Sequence, residues 1–199
     1  LIRSHFPERD IAGLDISAAD NDRFVLVFSE ALGDPQSTLA AIKYVRVDNG
    51  VPGPVYQVAY SDGHSPSVAC FDDGSFAVAY YDFGNTTTIA AGLKVQLFDA
   101  TPRANPIGTP ISIDDALGRG SRYNIAVRGP AATSPTSLAV VAWAAEPATP
   151  TAAALPSARQ FSPATRRTGA RFIIPHPITS PVGHATLAAG GQHAIAFNS

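Results

Sequence analysis

The sequence predicts an all-β fold, a small β-propeller of about four blades closed by its N-terminal strand. Three observations predict it. First, an apolar pair leading into a large aromatic returns four times, at Leu26-Val27-Phe28, Val78-Ala79-Tyr80, Val141-Ala142-Trp143 and Ile195-Ala196-Phe197. The aromatics lie 52, 63 and 54 residues apart, the range of a repeat built from several strands. Second, a shorter apolar segment precedes each aromatic: Leu14-Asp15-Ile16, Ser67-Val68-Ala69, Asn124-Ile125-Ala126 and Thr186-Leu187-Ala188. Third, 17 prolines and 16 glycines punctuate the chain, and strong helix formers never gather at a 3.6-residue period.

The second repeat shows each element most clearly. Ser65–Phe71 reads as a strand, and Asp72-Asp73-Gly74-Ser75 as a tight turn, because Asp and Gly tolerate the backbone angles a hairpin needs. Phe76–Asp82 is an aromatic-rich strand, and Gly92–Phe98 sets Leu93, Val95 and Leu97 on one face. A loop rich in Pro and Gly leads to a short fourth strand at Ile111–Ile113. The first repeat places strands near Leu14–Ser17, Phe24–Phe28, Ala41–Val47 and Val55–Tyr60. The third places them near Tyr123–Val127, Leu138–Trp143, Ser157–Phe161 and Ala170–Ile174. The fourth repeat has two strands, near Thr186–Ala189 and His193–Phe197.

This divides the chain as one domain: a closing strand at 1–12, blades at 13–63, 64–120 and 121–183, and the first strands of a last blade at 184–199. Ile2–Phe6 precedes Ile16 by the interval that separates fourth strands from the next repeat, so it is expected to complete the last blade and remove exposed edges.

Composition excludes several function classes. The 199 residues are 45 % hydrophobic and 15 % charged, which favours a packed globular protein over a disordered one. The formal net charge is −2 with no basic run, so binding nucleic acid by phosphate neutralisation is not expected. No segment has the roughly 20 apolar residues of a membrane helix. Cys70, the single cysteine, sits in an apolar strand pattern and reads as a buried small hydrophobe; it can form no intrachain disulfide. The sequence begins at Leu1 without methionine, which reads as a processed chain or a fragment. Asn85-Thr86-Thr87 is a sequon and points toward a secreted or cell-surface protein, a cytoplasmic one remaining compatible.

The run Ser65-Pro66-Ser67-Val68-Ala69 … Asp73-Gly74-Ser75-Phe76-Ala77-Val78-Ala79-Tyr80 resembles the propeller-type repeats of bacterial and fungal surface proteins and some lectins. Those read loosely as Pro-x-Val-Ala … Asp-Gly-x-Phe-x-Val-Ala-Trp. The resemblance covers most of the chain and implies an architecture; it singles out no one family's activity.

The repeated aromatics Phe28, Tyr80, Trp143 and Phe197 recur at one strand position, so packing between repeats is their expected role. Chemistry is expected in the connections that share one face of such an array. Those from fourth to first strands carry Asp10, His64, Arg122, Tyr123 and His184. Those from second to third strands carry Glu30, Tyr81, Asp82, Asn85, Glu146 and Asn198.

The leading functional expectation is a non-enzymatic recognition module of lectin type for a glycan or small molecule. Its candidate ligand residues are Tyr81, Asp82, Asn85, Arg122 and Tyr123, an aromatic face with hydrogen-bonding partners for hydroxyls. The alternative is a lyase, cyclase or hydrolase with one axial site built from His64, His184, Arg122, Tyr123 and Asp15. No GxSxG elbow or HExxH motif supports it. A protein-interaction scaffold is a third reading. No resident cofactor is expected. Asp15 beside the axis needs a hydrogen-bond donor, Arg122, a histidine or a channel cation as partner, although no familiar calcium loop is present. A homodimer exchanging terminal strands would use the same residues as internal closure.

Overall fold

The computed structural model of the chain describes residues 11–19, 22–31, 40–61, 66–82, 91–114, 122–144, 156–173, 186–190 and 192–196. They form strands and turns, with no helix among them. The first sheet contains β1 (Ile11–Ala19), β2 (Arg23–Ala31), β3 (Ala40–Asp48) and β4 (Val51–Ser61). The second contains β5 (Ser67–Cys70), β6 (Phe76–Asp82), β7 (Gly92–Phe98) and β8 (Ile111–Asp114). The third contains β9 (Arg122–Arg128), β10 (Leu138–Ala144), β11 (Pro156–Ser162) and β12 (Arg167–Ile173). Each is an antiparallel meander in sequence order, and β13 (Thr186–Gly190) with β14 (Gln192–Ala196) adds a two-stranded hairpin.

Register shows that the sheets are true repeats. Ile16 pairs with Leu26, Val68 with Val78, Ile125 with Val141 and Leu187 with Ile195. In each described repeat the large aromatic follows two residues later on the second strand. Because side chains alternate along a strand, that aromatic shares a face with the anchor. Tyr80 and Trp143 thereby point back toward the preceding sheet, and both are fully buried.

The expected closed propeller of about four blades is corrected by this arrangement. Three separate sheets and a hairpin stand in succession, and among the described residues no sheet curls or closes. The first strands β1, β5, β9 and β13 lie against one another in that order, and β13 makes its main contact outside its hairpin with β9. A repeat period encodes the strand content of each sheet. It does not encode the angle between successive sheets, which decides whether a row returns on itself. The expected closing strand at 1–12 lies almost wholly outside the described residues. Ile11 belongs to β1, where it pairs with Glu30 of β2, and residues 1–10 lie outside the described residues.

The core follows from the middle position of the second sheet. Val68, Phe76, Val78, Tyr80 and Phe98 face the first sheet and meet Val25, Val27, Ile42 and Tyr44. The opposite face carries Ala69, Ala77, Ala79, Leu93, Val95 and Leu97 against Ile125, Val141, Trp143 and Phe161 of the third. A sheet covered on both sides reads as a continuous apolar run, and β6 and β7 are buried almost throughout.

The β5–β6 turn adds polar stitching to the second contact. Gly74 takes a φ of +86°, which costs glycine little. Asp73 N donates to Pro130 O at 2.9 Å, and Ala132 N donates to Ser75 Oγ at 2.8 Å.

Trp143 is 0 % exposed, has Arg171 over its ring at 5.4 Å, and its buried Nε1 has no hydrogen-bond partner among the described residues. Trp143→Ala should cost about 3–5 kcal/mol through the cavity it leaves. Trp143→Phe should cost less than half of that, because it also removes an unpaired buried donor. Chemical denaturation of both variants checks this; equal losses would show that ring volume is not the term that matters.

Candidate functional site

The first and second sheets part at their outer edge into a cleft of about 570 Å³. That is within the usual range for a small-ligand site. Tyr44, Tyr56 and Phe98 form its aromatic wall; Gln57, Gln96, Arg103 and Asn105 bring polar groups. Tyr44 and Phe98 are buried, Tyr56 is half-buried, and Gln57, Arg103 and Asn105 are exposed.

The wall forms because β3 and β7 face each other across the sheet interface. The Tyr44 ring stands 5.3 Å from that of Tyr56 and 5.2 Å from those of Phe76 and Phe98, and Phe76 stacks on Phe98 at 4.8 Å. These separations suit tilted and offset aromatic pairs, which add attraction beyond buried area.

The rim is the connection from β7 to β8, residues 99–110. Within it, Asp99 Oδ1 accepts from Thr101 N at 3.1 Å, Thr101 Oγ1 at 2.5 Å and Asn105 N at 2.9 Å. Asn105 Nδ2 donates to Asp99 Oδ2 at 3.2 Å, which orients the amide. Ala104, at a φ of +50°, turns the chain and is buried.

The first sheet fixes this loop from outside. Tyr44 Oη donates to Arg103 O at 2.6 Å and to Ala104 O at 3.0 Å. Arg46 Nη1 donates to Ala100 O at 2.9 Å and also to Thr101 O, while its Nη2 pairs with Asp48 at 3.3 Å. Gln96 Nε2 donates to Leu97 O at 2.9 Å and to Gly108 O at 3.2 Å. The polar groups at the cleft are therefore set before any ligand arrives, which lowers the ordering cost of binding.

Burial pushes the Tyr44 hydroxyl up to about 12, with Tyr56 and Asp99 adding to the rise against Arg46 and Arg103. Tyr44 thus remains a hydrogen-bond donor across the neutral range. For Asp99, burial pushes the carboxyl up, but hydrogen bonds from Thr101 and Asn105 outweigh it and hold it below 3.8.

A second groove, of about 340 Å³, lies along the first strands and is lined by Asp15, Ser17, Cys70, Asn124 and neighbours. Asp15 finds its partner there in hydrogen-bond donors, as one of the sequence expectations had it. Its Oδ2 accepts from Ser67 Oγ and from Val68 N, both at 2.9 Å. Ser17 Oγ accepts from Cys70 N at 3.0 Å, and Ser67 Oγ accepts from Ile125 N at 3.3 Å. These side chains join successive sheets. Burial pushes the Cys70 thiol up to about 11, against a weaker pull from the Ser17 hydrogen bond. Such a thiol is a poor nucleophile. No group of three or more His, Cys, Asp and Glu side chains gathers among the described residues.

Of the other sequence candidates, Tyr81 and Tyr123 meet, with Asp82 and Arg122 next to them in the chain, and the rest lie apart from them or outside the described residues. Tyr81 is buried between the second and third sheets, and its backbone N donates to Tyr123 Oη at 3.0 Å, which ties the two sheets together. Asp82 ends β6 half-buried. Tyr123 is half-buried and is not among the residues lining the groove that contains Asp15. Arg122 opens β9, where its backbone pairs with Ala144. Glu30 forms an ion pair with Lys43 on the first sheet. His64, His184, Asn85, Asp10, Glu146, Phe197 and Asn198 lie outside the described residues.

The cleft residues Tyr44, Tyr56, Gln57, Arg103 and Asn105 were not singled out from sequence. One local signal was available, the spacing Asp99-x-Thr101-x-x-x-Asn105, in which an Asp can bind backbone and side chains ahead of it. No known protein family, curated protein or solved structure matches this chain.

Two outcomes follow from these environments. Stability contributed by the ionised Asp99 should be present above its unfolded value near pH 4 and lost as pH falls through its lower folded value. Amide exchange at Thr101 and Asn105 should therefore accelerate in that acid window and lose the transition in Asp99→Asn; an unchanged transition in the variant would contradict the assignment. Cys70 is half-buried in the groove that contains Asp15 and not fully buried as the sequence suggested. With its thiol held up, it should react with iodoacetamide at pH 8 more slowly in the native than in the unfolded protein, as mass spectrometry would show, and equal rates would contradict the raised thiol.

Proposed function

We propose that the chain is a non-catalytic recognition module whose ligand is a glycan, held in the cleft between the first and second sheets. The observation that carries this reading is a half-buried aromatic, Tyr56, beside amide and guanidinium groups on a loop fixed by Tyr44 and Arg46. A sugar ring presents an apolar C–H face and a rim of hydroxyls. Tyr56 suits the first, and Gln57, Arg103 and Asn105 suit the second. The resemblance of the repeat to those of surface proteins and lectins supports the same class. A secreted or cell-surface location belongs with this reading and rests on that resemblance and the Asn85 sequon. In the described structure, no helix is long and apolar enough to cross a membrane.

A glycan-array screen tests the proposal. Selective binding is expected, and it should persist in EDTA because the Asp99 carboxylate is already occupied by its own loop. Tyr56→Ala should weaken the selected glycan about tenfold, near the upper range for an aromatic contact. Asn105→Ala should also weaken it. A blank array, or unchanged affinity in both variants, would overturn the assignment.

A further inference from the structure

The cleft between the first and second sheets is built with an uneven charge. Among the described residues that line it, Arg103 is the one charged side chain, and none is a carboxylate. The chain as a whole runs the other way, with a formal net charge of −2. Positive charge is therefore concentrated at the cleft against the balance of the molecule.

The nearby acids are committed elsewhere. Both oxygens of Asp99 accept hydrogen bonds from its own loop, through Thr101 and Asn105. Asp48 pairs with Arg46 at 3.3 Å. Among the described residues Arg103 forms no ion pair.

Two further guanidinium groups adjoin the same loop. Arg46 donates to Ala100 O and Thr101 O from the first sheet. Arg166 Nη2, from the third sheet, donates to Thr109 O and, at 3.2 Å, to Thr109 Oγ1. Arg46, Arg103 and Arg166 against Asp48 and Asp99 leave an excess of positive charge along the rim. Arg46 and Arg166 are committed to loop carbonyls. Arg103 differs: its own carbonyl is held by Tyr44 Oη at 2.6 Å, while the residue is exposed. Its guanidinium is thus presented from a fixed point of the backbone.

The planar fork of a guanidinium matches the paired oxygens of a carboxylate or sulfate. The exposed amides of Gln57 and Asn105 line the same cleft and suit the neighbouring hydroxyls. We propose that the glycan taken by this cleft is acidic, and that Arg103 binds the carboxylate or sulfate of the sugar whose ring packs on Tyr56. This rests on the glycan reading of the cleft and adds the charge of the ligand and the residue that selects it. A neutral sugar fills the cleft without meeting Arg103's charge, so the charge discriminates between otherwise similar sugars.

A glycan array tests this with sialylated, uronate-containing and sulfated oligosaccharides, each beside its desialylated, carboxyl-reduced or desulfated counterpart. The unsubstituted chain should hold an acidic member about tenfold or more tightly than its uncharged counterpart. That advantage should shrink between about 0.15 M and about 1 M salt, as the screening length falls from about 8 Å to about 3 Å. Which acidic class is retained distinguishes carboxylate from sulfate. Arg103→Gln should close most of the gap within a pair, and Arg103→Lys should keep part of it, with the fold of both checked by circular dichroism. Tyr56→Ala should weaken both members of a pair and leave their ratio. Equal binding of both members, or a gap that survives in Arg103→Gln, would overturn the acidic assignment and leave the glycan reading standing. A blank array would overturn both.

Discussion

Burial of the second sheet on both faces is the constraint on which the rest of the molecule depends. β6 and β7 carry apolar side chains in both directions, so they require a sheet on each side. The first and third sheets use small, β-branched and aromatic residues to meet them. A lone four-stranded sheet of this size would leave too much apolar surface in water; three sheets in succession leave only the two outermost faces to be satisfied elsewhere. Hydrogen bonds accepted by Asp15, Ser17 and Ser67 then fix the relative height of the first strands. Apolar area supplies the attraction, and these side-chain oxygens supply the register.

The cleft is a consequence of the same packing. At the outer edge, β3 and β7 diverge, and the apolar interface gives way to Tyr44, Phe98 and Tyr56. The loop between β7 and β8 would be a free connection if it belonged to the second sheet alone. Tyr44 and Arg46 make it a shared element of two sheets. Desolvated donors on a rigid strand are committed to the loop's carbonyls, so its exposed side chains are displayed from a fixed backbone. That is the usual relation between scaffold and binding loop.

The sequence displays the strands well and their assembly poorly. Val78-Ala79-Tyr80 and Val141-Ala142-Trp143 are visible because a strand covered on both faces has little room for polar residues. Asp72-Asp73-Gly74-Ser75 is visible because its backbone angles demand those residues. Ring closure was inferred from the repeat and from the spacing of Ile2–Phe6 ahead of Ile16, and no closed sheet is found among the described residues, since the angle between sheets arises from side-chain volumes spread over two interfaces. Asp15 was legible as a carboxylate needing a partner, yet Ser67 as that partner lies more than fifty residues away in sequence. The cleft was hidden for the same reason. Tyr44, Tyr56 and Asn105 come from separate segments, and only the Asp99–Asn105 spacing hints locally at an ordered loop. The buried ring of Tyr81 shows the converse, because an aromatic beside a polar residue at a strand end reads as a surface platform until the neighbouring sheet is seen.

The most direct test of the account is native-state hydrogen exchange resolved to single amides. If the second sheet holds the other two in place, the amides of β6 and β7 are the slowest in the protein. They exchange only through global unfolding, and destabilising either outer sheet accelerates them in step. If β2 or β10 instead stays protected while β6 and β7 exchange through a smaller opening, the sheets are independent units. The middle sheet would then not be the element on which the fold and its cleft depend.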